Sequence, residues 1–376
     1  MRIFIVRRGD SLYSVARRFG VSVTELARIN ELSAPDRLSV GQALVIPDGA
    51  TPDSEIEVNG YAYPGIGGEV LRRSLPSLTF LCPVSWQANA GGSLNPIDDQ
   101  RLIDAAKDSA TAPLLTVTNI GSAGGFSSDI AHSLLTNPDV TQRFIENILT
   151  VLRQKKYYGL NLNFEYLYPF DREAYNDFLR RISETLHPLG YYLSSAIAPK
   201  TSDTQQGVLY SAHDYAAHGK YCDRVVIMTY EWGYTYSSPR AVSPVDRIRE
   251  VLDYAVTRID PGKILMGFSN YGYNWRLPWK QGEAAQVISN AAAARLAASV
   301  FAEIHFDPNA EASYFNYTDP TGIRREVWFE DSRSIAARLK LVSEYGLAGI
   351  SYWTLDQLGV TGLYILNSMY NTEKIL

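Results

Sequence analysis

At 376 residues the chain has room for one large domain with a small appendage, or for two ordinary domains. A hydrophobic fraction of 46% supports a substantial core, while a charged fraction of 20% and a net charge of -5 argue against a general nucleic-acid binder, which needs an excess of clustered Lys and Arg. Cys82 and Cys222 stand far apart, so there is neither a disulfide framework nor a metal-type pair, and the five histidines show no ligand spacing. No cofactor and no metal are expected. The 25 tyrosines and six tryptophans serve packing first, but sugar-binding clefts also use aromatic faces as apolar platforms.

The first residues, Met1 to Arg8, carry charge but no apolar stretch long enough for a signal peptide, and no segment approaches the length of a membrane span. The chain is expected to be made in the cytoplasm and to act as a monomer. Residues 1–48 read as strand, helix, helix, strand. Asp10-Ser11 offers an N-cap before Leu12, Val15 and Phe19 at helical spacing, Gly20 closes that helix, and Ser22 or Thr24 caps a second one carrying Leu26, Ile29 and Asn30. A turn and a closing strand occupy 38–47. The segments Val6-Arg7-Arg8-Gly9-Asp10-Ser11-Leu12, Ile29-Asn30 and Val40-Gly41-Gln42-Ala43-Leu44-Val45-Ile46-Pro47 resemble a LysM domain. That resemblance implies binding to N-acetylglucosamine-containing glycans such as peptidoglycan or chitin. A single copy implies modest affinity that raises local concentration.

Residues 49–55 read as a linker, rich in turn formers and lacking a periodic apolar pattern. Beyond it, strand-like runs alternate with helical segments at 57–61, 77–81, 114–119, 159–165, 192–198, 224–230, 263–269 and 349–353. Eight strands over residues 56–376 predict an α/β fold, a (β/α)8 barrel of the TIM type. A doubly wound open sheet competes, but no glycine-rich phosphate fingerprint follows the first strand. The long gap between the seventh and eighth strands holds an alanine-rich helix at 291–299 and strand-like stretches at 303–306, 312–317 and 325–330. A small α+β insertion at about 274–331 is expected there, forming one wall of a cleft.

The most informative run is Asn161-Leu162-Asn163-Phe164-Glu165. Strand side chains alternate, so Asn161, Asn163 and Glu165 share one face while Leu160, Leu162 and Phe164 cover the other. Buried polar groups need partners, and a row of three marks a site. Active groups of such barrels stand at the C-terminal strand ends. Glu165 falls there, as do Tyr230 and Glu231 after the sixth strand and Trp353 at the end of the eighth. Tyr61, Trp86, Asn119 and Trp232 lie near other strand ends and are candidates for sugar contact, with ordinary packing weighing equally.

The segments Gly159-Leu160-Asn161-Leu162-Asn163-Phe164-Glu165, Met228-Thr229-Tyr230-Glu231 and Tyr352-Trp353 resemble glycoside hydrolase family 18. Within it, the LysM attachment, Tyr230-Glu231-Trp232-Gly233-Tyr234 and Pro169-Phe170-Asp171-Arg172-Glu173-Ala174-Tyr175 are most similar to the spore cortex-lytic N-acetylglucosaminidases of spore-forming bacteria. The resemblance implies substrate-assisted, retaining hydrolysis, an exception to the two-carboxylate scheme. The substrate's 2-acetamido carbonyl attacks the anomeric carbon while Glu165 protonates the leaving oxygen and then serves as base toward water. Tyr230 would hold the acetamido carbonyl, and Trp353 would floor the sugar ring. The family has aspartates where this chain has Tyr158, Asn161 and Asn163. The resemblance implies that Asn163 would accept the acetamido N–H without supplying the charge by which the family's aspartate stabilises an oxazolinium ion, a bond weaker by about twofold. Glu231 replaces an aspartate and reaches one methylene further. The leading expectation is therefore an N-acetylglucosaminidase that cuts spore cortex peptidoglycan and is deposited in the coat or cortex region. A glycan-binding protein of the same fold, catalytically weakened or without activity, and a chitinase are the alternatives.

Overall fold

The computed structural model describes residues 1–32, 37–49 and 51–376. Parts of the expected LysM unit and linker, residues 33–36 and Ala50, lie outside the described residues. The N-terminal unit pairs Arg2–Ile5 antiparallel with Ala43–Ile46 around helices Leu12–Phe19 and Val23–Ile29. Ser11 caps the first helix through a reciprocal bond with Ser14, and Gly20 ends it at a φ of 69°. Of the two candidate caps for the second helix, Ser22 is the one used, accepting from the Glu25 N–H at 3.0 Å. Asn30 ends that helix and ties it to the closing strand, donating to the Leu26 and Val45 carbonyls and accepting from the Val45 N–H at 2.7 Å.

Eight parallel strands close into a barrel: Glu55–Ala62, Phe80–Pro83, Ala112–Thr118, Gly159–Asn163, Tyr192–Ile197, Arg224–Ile227, Ile264–Ser269 and Gly349–Trp353. Each pairs with the next, and the eighth returns to the first through Gly349 opposite Glu57. The parallel sheet closes on itself, which excludes the doubly wound alternative. The second strand begins later than 77 because Leu75–Ser77, with Pro76 near its start, forms a 3-10 turn. The fourth and sixth strands end earlier than expected, leaving Glu165 and Tyr230 in the loops just beyond them.

Alternation along the fourth strand separates two layers of core. Phe164, wholly buried, faces the surrounding helices and stacks with Phe144 and Phe178 at ring separations of 6.1 and 6.5 Å. Truncating such a ring costs about 3–5 kcal/mol. The barrel interior instead holds Tyr61, Phe80, Cys82 and Leu114, with Phe80 stacked on Tyr192 at 4.7 Å. Arg224 reaches across from the sixth strand to Glu57 of the first, its Nε donating at 2.7 Å.

Between the seventh and eighth strands an antiparallel five-stranded sheet is inserted, in the order Gln286–Ser289, Tyr271–Leu277, Arg324–Phe329, Ala312–Thr318, His305–Asp307, with helix Asn290–Ser299 packed on it. It opens at Tyr271, directly after the barrel strand and ahead of the expected 274. At its base Glu330 and Arg338, both fully buried, face each other at 3.5 Å, and the guanidinium lies 4.0 Å from the centre of the Phe268 ring.

Candidate active site

A cavity of about 160 Å3 opens among the C-terminal strand ends. It brings together Glu165, Asn163, Tyr230, Glu231, Tyr61 and Trp353 of the ten candidates, joined by Met228 and Ala196. Asn161, Asn119, Trp86 and Trp232 are not among its lining residues.

Glu165 sits two residues past the end of its strand, and its backbone is held from two sides. The Asn119 side chain accepts from the Glu165 N–H at 3.0 Å and donates to its carbonyl at 2.8 Å. On the other side, His213 Nδ1 accepts from the Ala198 N–H, which leaves the proton on Nε2 to donate to the Phe164 carbonyl at 2.9 Å. Burial pushes the His213 imidazolium down to about 4, so the ring is neutral at neutral pH and keeps this tautomer. Asn119 is thus a positioning residue for Glu165. His213 lies in none of the motifs read from the sequence, and no local pattern marks it.

Desolvation raises the Glu165 carboxyl from 4.5 to about 7, with a hydrogen bond from Asn163 opposing the shift. Its side chain is only partly exposed, opening toward the cavity while protein atoms surround it closely. Asn163 is 6% exposed, and its Oδ1 has no protein partner. That is an acceptor left vacant at the wall of a pocket. Asn161 is occupied at both ends, accepting from Tyr61 Oη at 3.0 Å and donating to Ser194 Oγ at 2.9 Å. It supports the barrel and fixes the Tyr61 ring rather than facing the cavity.

Tyr230 is placed by a close approach between the sixth and seventh strands. A Cβ on Gly267 would stand 2.8 Å from the Tyr230 ring, so glycine there leaves the phenol its room. Trp353 meets Tyr61 edge-on at 5.4 Å and Tyr63 at 6.3 Å, which fixes an indole face at the pocket edge. Glu231 has a φ of 69° and accepts from Tyr271 at 2.5 Å and Tyr273 at 3.0 Å, both on the inserted sheet. Burial raises its carboxyl, and the two phenols partly counter that. These tyrosines were read from the sequence as neither ligands nor supports, because their partner lies forty residues away in a different element.

Two further candidates belong elsewhere. Trp86 is buried, its indole N–H donating to Asp99 at 2.6 Å, and Asp99 also accepts from Tyr157 Oη and Lys155. Trp232 packs against the outer core, its backbone N–H donating to the Val242 carbonyl at 3.1 Å. Both serve packing. Among the described residues there is no group of three or more His, Cys, Asp or Glu able to hold a metal, and no helix long and apolar enough to cross a membrane.

A closed parallel barrel with a buried acid beside an unpaired amide, a phenol and an indole at its strand ends has the make-up of a glycosidase site. Residues 93–357 match Glycosyl hydrolases family 18 and residues 4–47 match the LysM domain, so the chain belongs to that family and carries a LysM module. It is 40% identical to the Cortical fragment-lytic enzyme of Bacillus subtilis (strain 168), over 100% of this chain and 99% of that one. Its structure is similar to that of the spore cortex-lytic enzyme SleL of Bacillus megaterium QM B1551, with a TM-score of 0.93, 33% identity, and coverage of 100% and 99% of the two chains. A chitinase from Chromobacterium violaceum ATCC 12472 is more distant, at 26% identity and a TM-score of 0.77 over 83% of this chain and 98% of that one.

Proposed function

We propose that this protein hydrolyses the N-acetylglucosaminyl bonds of spore cortex peptidoglycan by a substrate-assisted, retaining mechanism. The observation that carries the reading is Glu165: a pocket-lining acid whose carboxyl is raised to about 7 by burial, beside an amide with a vacant acceptor. An acid for leaving-group protonation must be protonated on arrival of substrate, and a pKa near the working pH suits it to return as base. Glu231, the other carboxylate in the pocket, is engaged by two phenols and is poorly placed to serve as nucleophile. The substrate's acetamido carbonyl takes that part instead.

In this scheme Asn163 Oδ1 accepts the acetamido N–H, Tyr230 Oη donates to its carbonyl oxygen, and Trp353 packs under the sugar ring. Asn119 and His213 keep the Glu165 backbone from yielding as the proton moves. Residues 1–48 form the glycan-docking module and 55–376 the hydrolytic barrel, whose first strand takes in Glu55, the last residue of the expected linker. In this reading the protein acts as a monomer in the cortex region of the spore. Cortex as substrate rests on the likeness to the cortical fragment-lytic and cortex-lytic enzymes. Likeness to a chitinase supports a second reading, chitin hydrolysis.

Purified protein incubated with soluble cortex fragments is expected to release new reducing N-acetylglucosamine ends, and Glu165→Gln to abolish the release. Equal release by the variant removes Glu165 from the mechanism. Chitin oligomers run beside the cortex fragments decide between the two substrates, and faster turnover of chitin favours the second.

A further inference from the structure

The N-terminal unit is seated against two other parts of the chain at once. Toward the barrel, Thr361 Oγ1 donates to the Ile29 carbonyl at 2.6 Å, the Thr361 N–H donates to Glu31, and Arg333 donates to the Gly41 carbonyl at 3.2 Å. Ile29 and Val45 are wholly buried in the main hydrophobic cluster of the barrel, not in the small core of their own unit. Toward the inserted sheet, the Ile304 N–H donates to the Val40 carbonyl at 2.9 Å, and Arg295 donates to the Glu31 carbonyl at 3.4 Å. The approach is close: a Cβ on Gly41, whose φ is 82°, would stand 1.9 Å from the Ile304 oxygen. Ile304 in turn belongs to the apolar core of the insertion, with Ala293, Phe315 and Val327.

The three parts meet around a cavity of about 240 Å3, lined among others by Asn30, Glu31, Asn270, Asn290 and Glu330. On its flank toward this cavity the insertion is held to the N-terminal unit by the Ile304–Val40 and Arg295–Glu31 hydrogen bonds. In the same sheet Tyr271, paired with Ser289 at the cavity's edge, and Tyr273 donate to Glu231 in the active-site pocket.

We propose that the LysM unit has a second function besides docking glycan: it braces the inserted sheet against the barrel and so holds the Glu231–Tyr271–Tyr273 wall of the pocket in register with Glu165. The kinetic part of this inference rests on the glycosidase reading above; the structural part does not. A module that only tethers substrate acts through affinity for long or insoluble glycan. A brace acts on the turnover of any substrate that fills the pocket, because a misplacement of about 1 Å in such a site lowers the rate up to roughly a hundredfold.

The test uses the full chain with Gly41→Ala combined with Arg295→Ala, which disturbs the contact with the insertion, and separately with Thr361→Val, which removes the bond to Ile29 while keeping side-chain volume. Amide hydrogen exchange is followed in Tyr271–Leu277 and Gln286–Ser289. Turnover of a chromogenic N-acetylglucosamine disaccharide glycoside is measured alongside. The brace is expected to give faster exchange in both strands and a kcat lowered by roughly tenfold, with binding of chitin oligomers retained. Unchanged exchange in both variants overturns it, as does an unchanged kcat with only sacculus binding reduced. Failure of the unaltered protein to cleave the glycoside counts against the glycosidase reading alone, and exchange still decides the brace.

Discussion

Replacing Glu165 by Gln tests the environment of the acid independently of turnover. In the folded chain desolvation raises the carboxyl from 4.5 to about 7. At about 1.4 kcal/mol per pKa unit, ionising it inside the fold at high pH costs about 3 kcal/mol of stability. A raised pKa means that the folded state holds the proton more tightly, so its contribution is fully present below about pH 4.5, declines as pH rises, and is lost above about pH 7. Gln has nearly the same shape and no proton to lose. Urea unfolding, followed by tryptophan fluorescence, is expected to find the variant about as stable as the parent near pH 4.5 and more stable by about 3 kcal/mol near pH 8. The same variant is expected to lose hydrolysis. A stability difference of equal size at both pH values would refute the argument that burial sets this pKa.

Other substitutions separate roles that the pocket alone does not. Asn163→Asp places a second carboxylate beside Glu165, so the alkaline limb of kcat/KM, expected near pH 7 in the parent, should move upward; a downward move contradicts direct contact between the two side chains. Asn119→Ala frees the backbone on either side of Glu165 and is expected to lower kcat by roughly tenfold to a hundredfold while the pH midpoint stays in place. A rise in KM alone would return Asn119 to sugar contact. Trp86→Phe removes one bond to buried Asp99, and is expected to lower stability by about 1 kcal/mol with kcat and KM unchanged.

The barrel is legible because its strands are short apolar runs at regular spacing, and the alternation of Leu160, Leu162 and Phe164 with Asn161, Asn163 and Glu165 marks the two faces of the fourth strand. Boundaries are less so. Pro76 shortens the second strand by winding the residues before it into a turn, and Glu165 and Tyr230 stand beyond their strands because the loops that aim them are shaped by distant partners. Strand-end position is a property of spacing, but whether a side chain there meets a sugar or another protein group depends on partners brought from other elements. Asn119 and Glu165, Asn161 and Tyr61, Trp86 and Asp99 are all such pairs. Asn161 and Asn163 look alike in sequence, yet one is saturated and the other has a vacant oxygen. His213, Gly267 and the Tyr271–Tyr273 pair escaped notice for the same reason: each acts on a residue remote in the chain.

The central claim is that Glu165 works without a second protein carboxylate as nucleophile, the substrate's own acetamido group taking its place. Proton NMR of the anomer first released from a soluble N-acetylglucosamine tetramer tests this most directly, with an otherwise identical tetramer lacking the acetamido groups as companion substrate. The expected result is the β-anomer from the first and no hydrolysis of the second. Release of the α-anomer, or comparable cleavage of the substrate without acetamido groups, would contradict the mechanism.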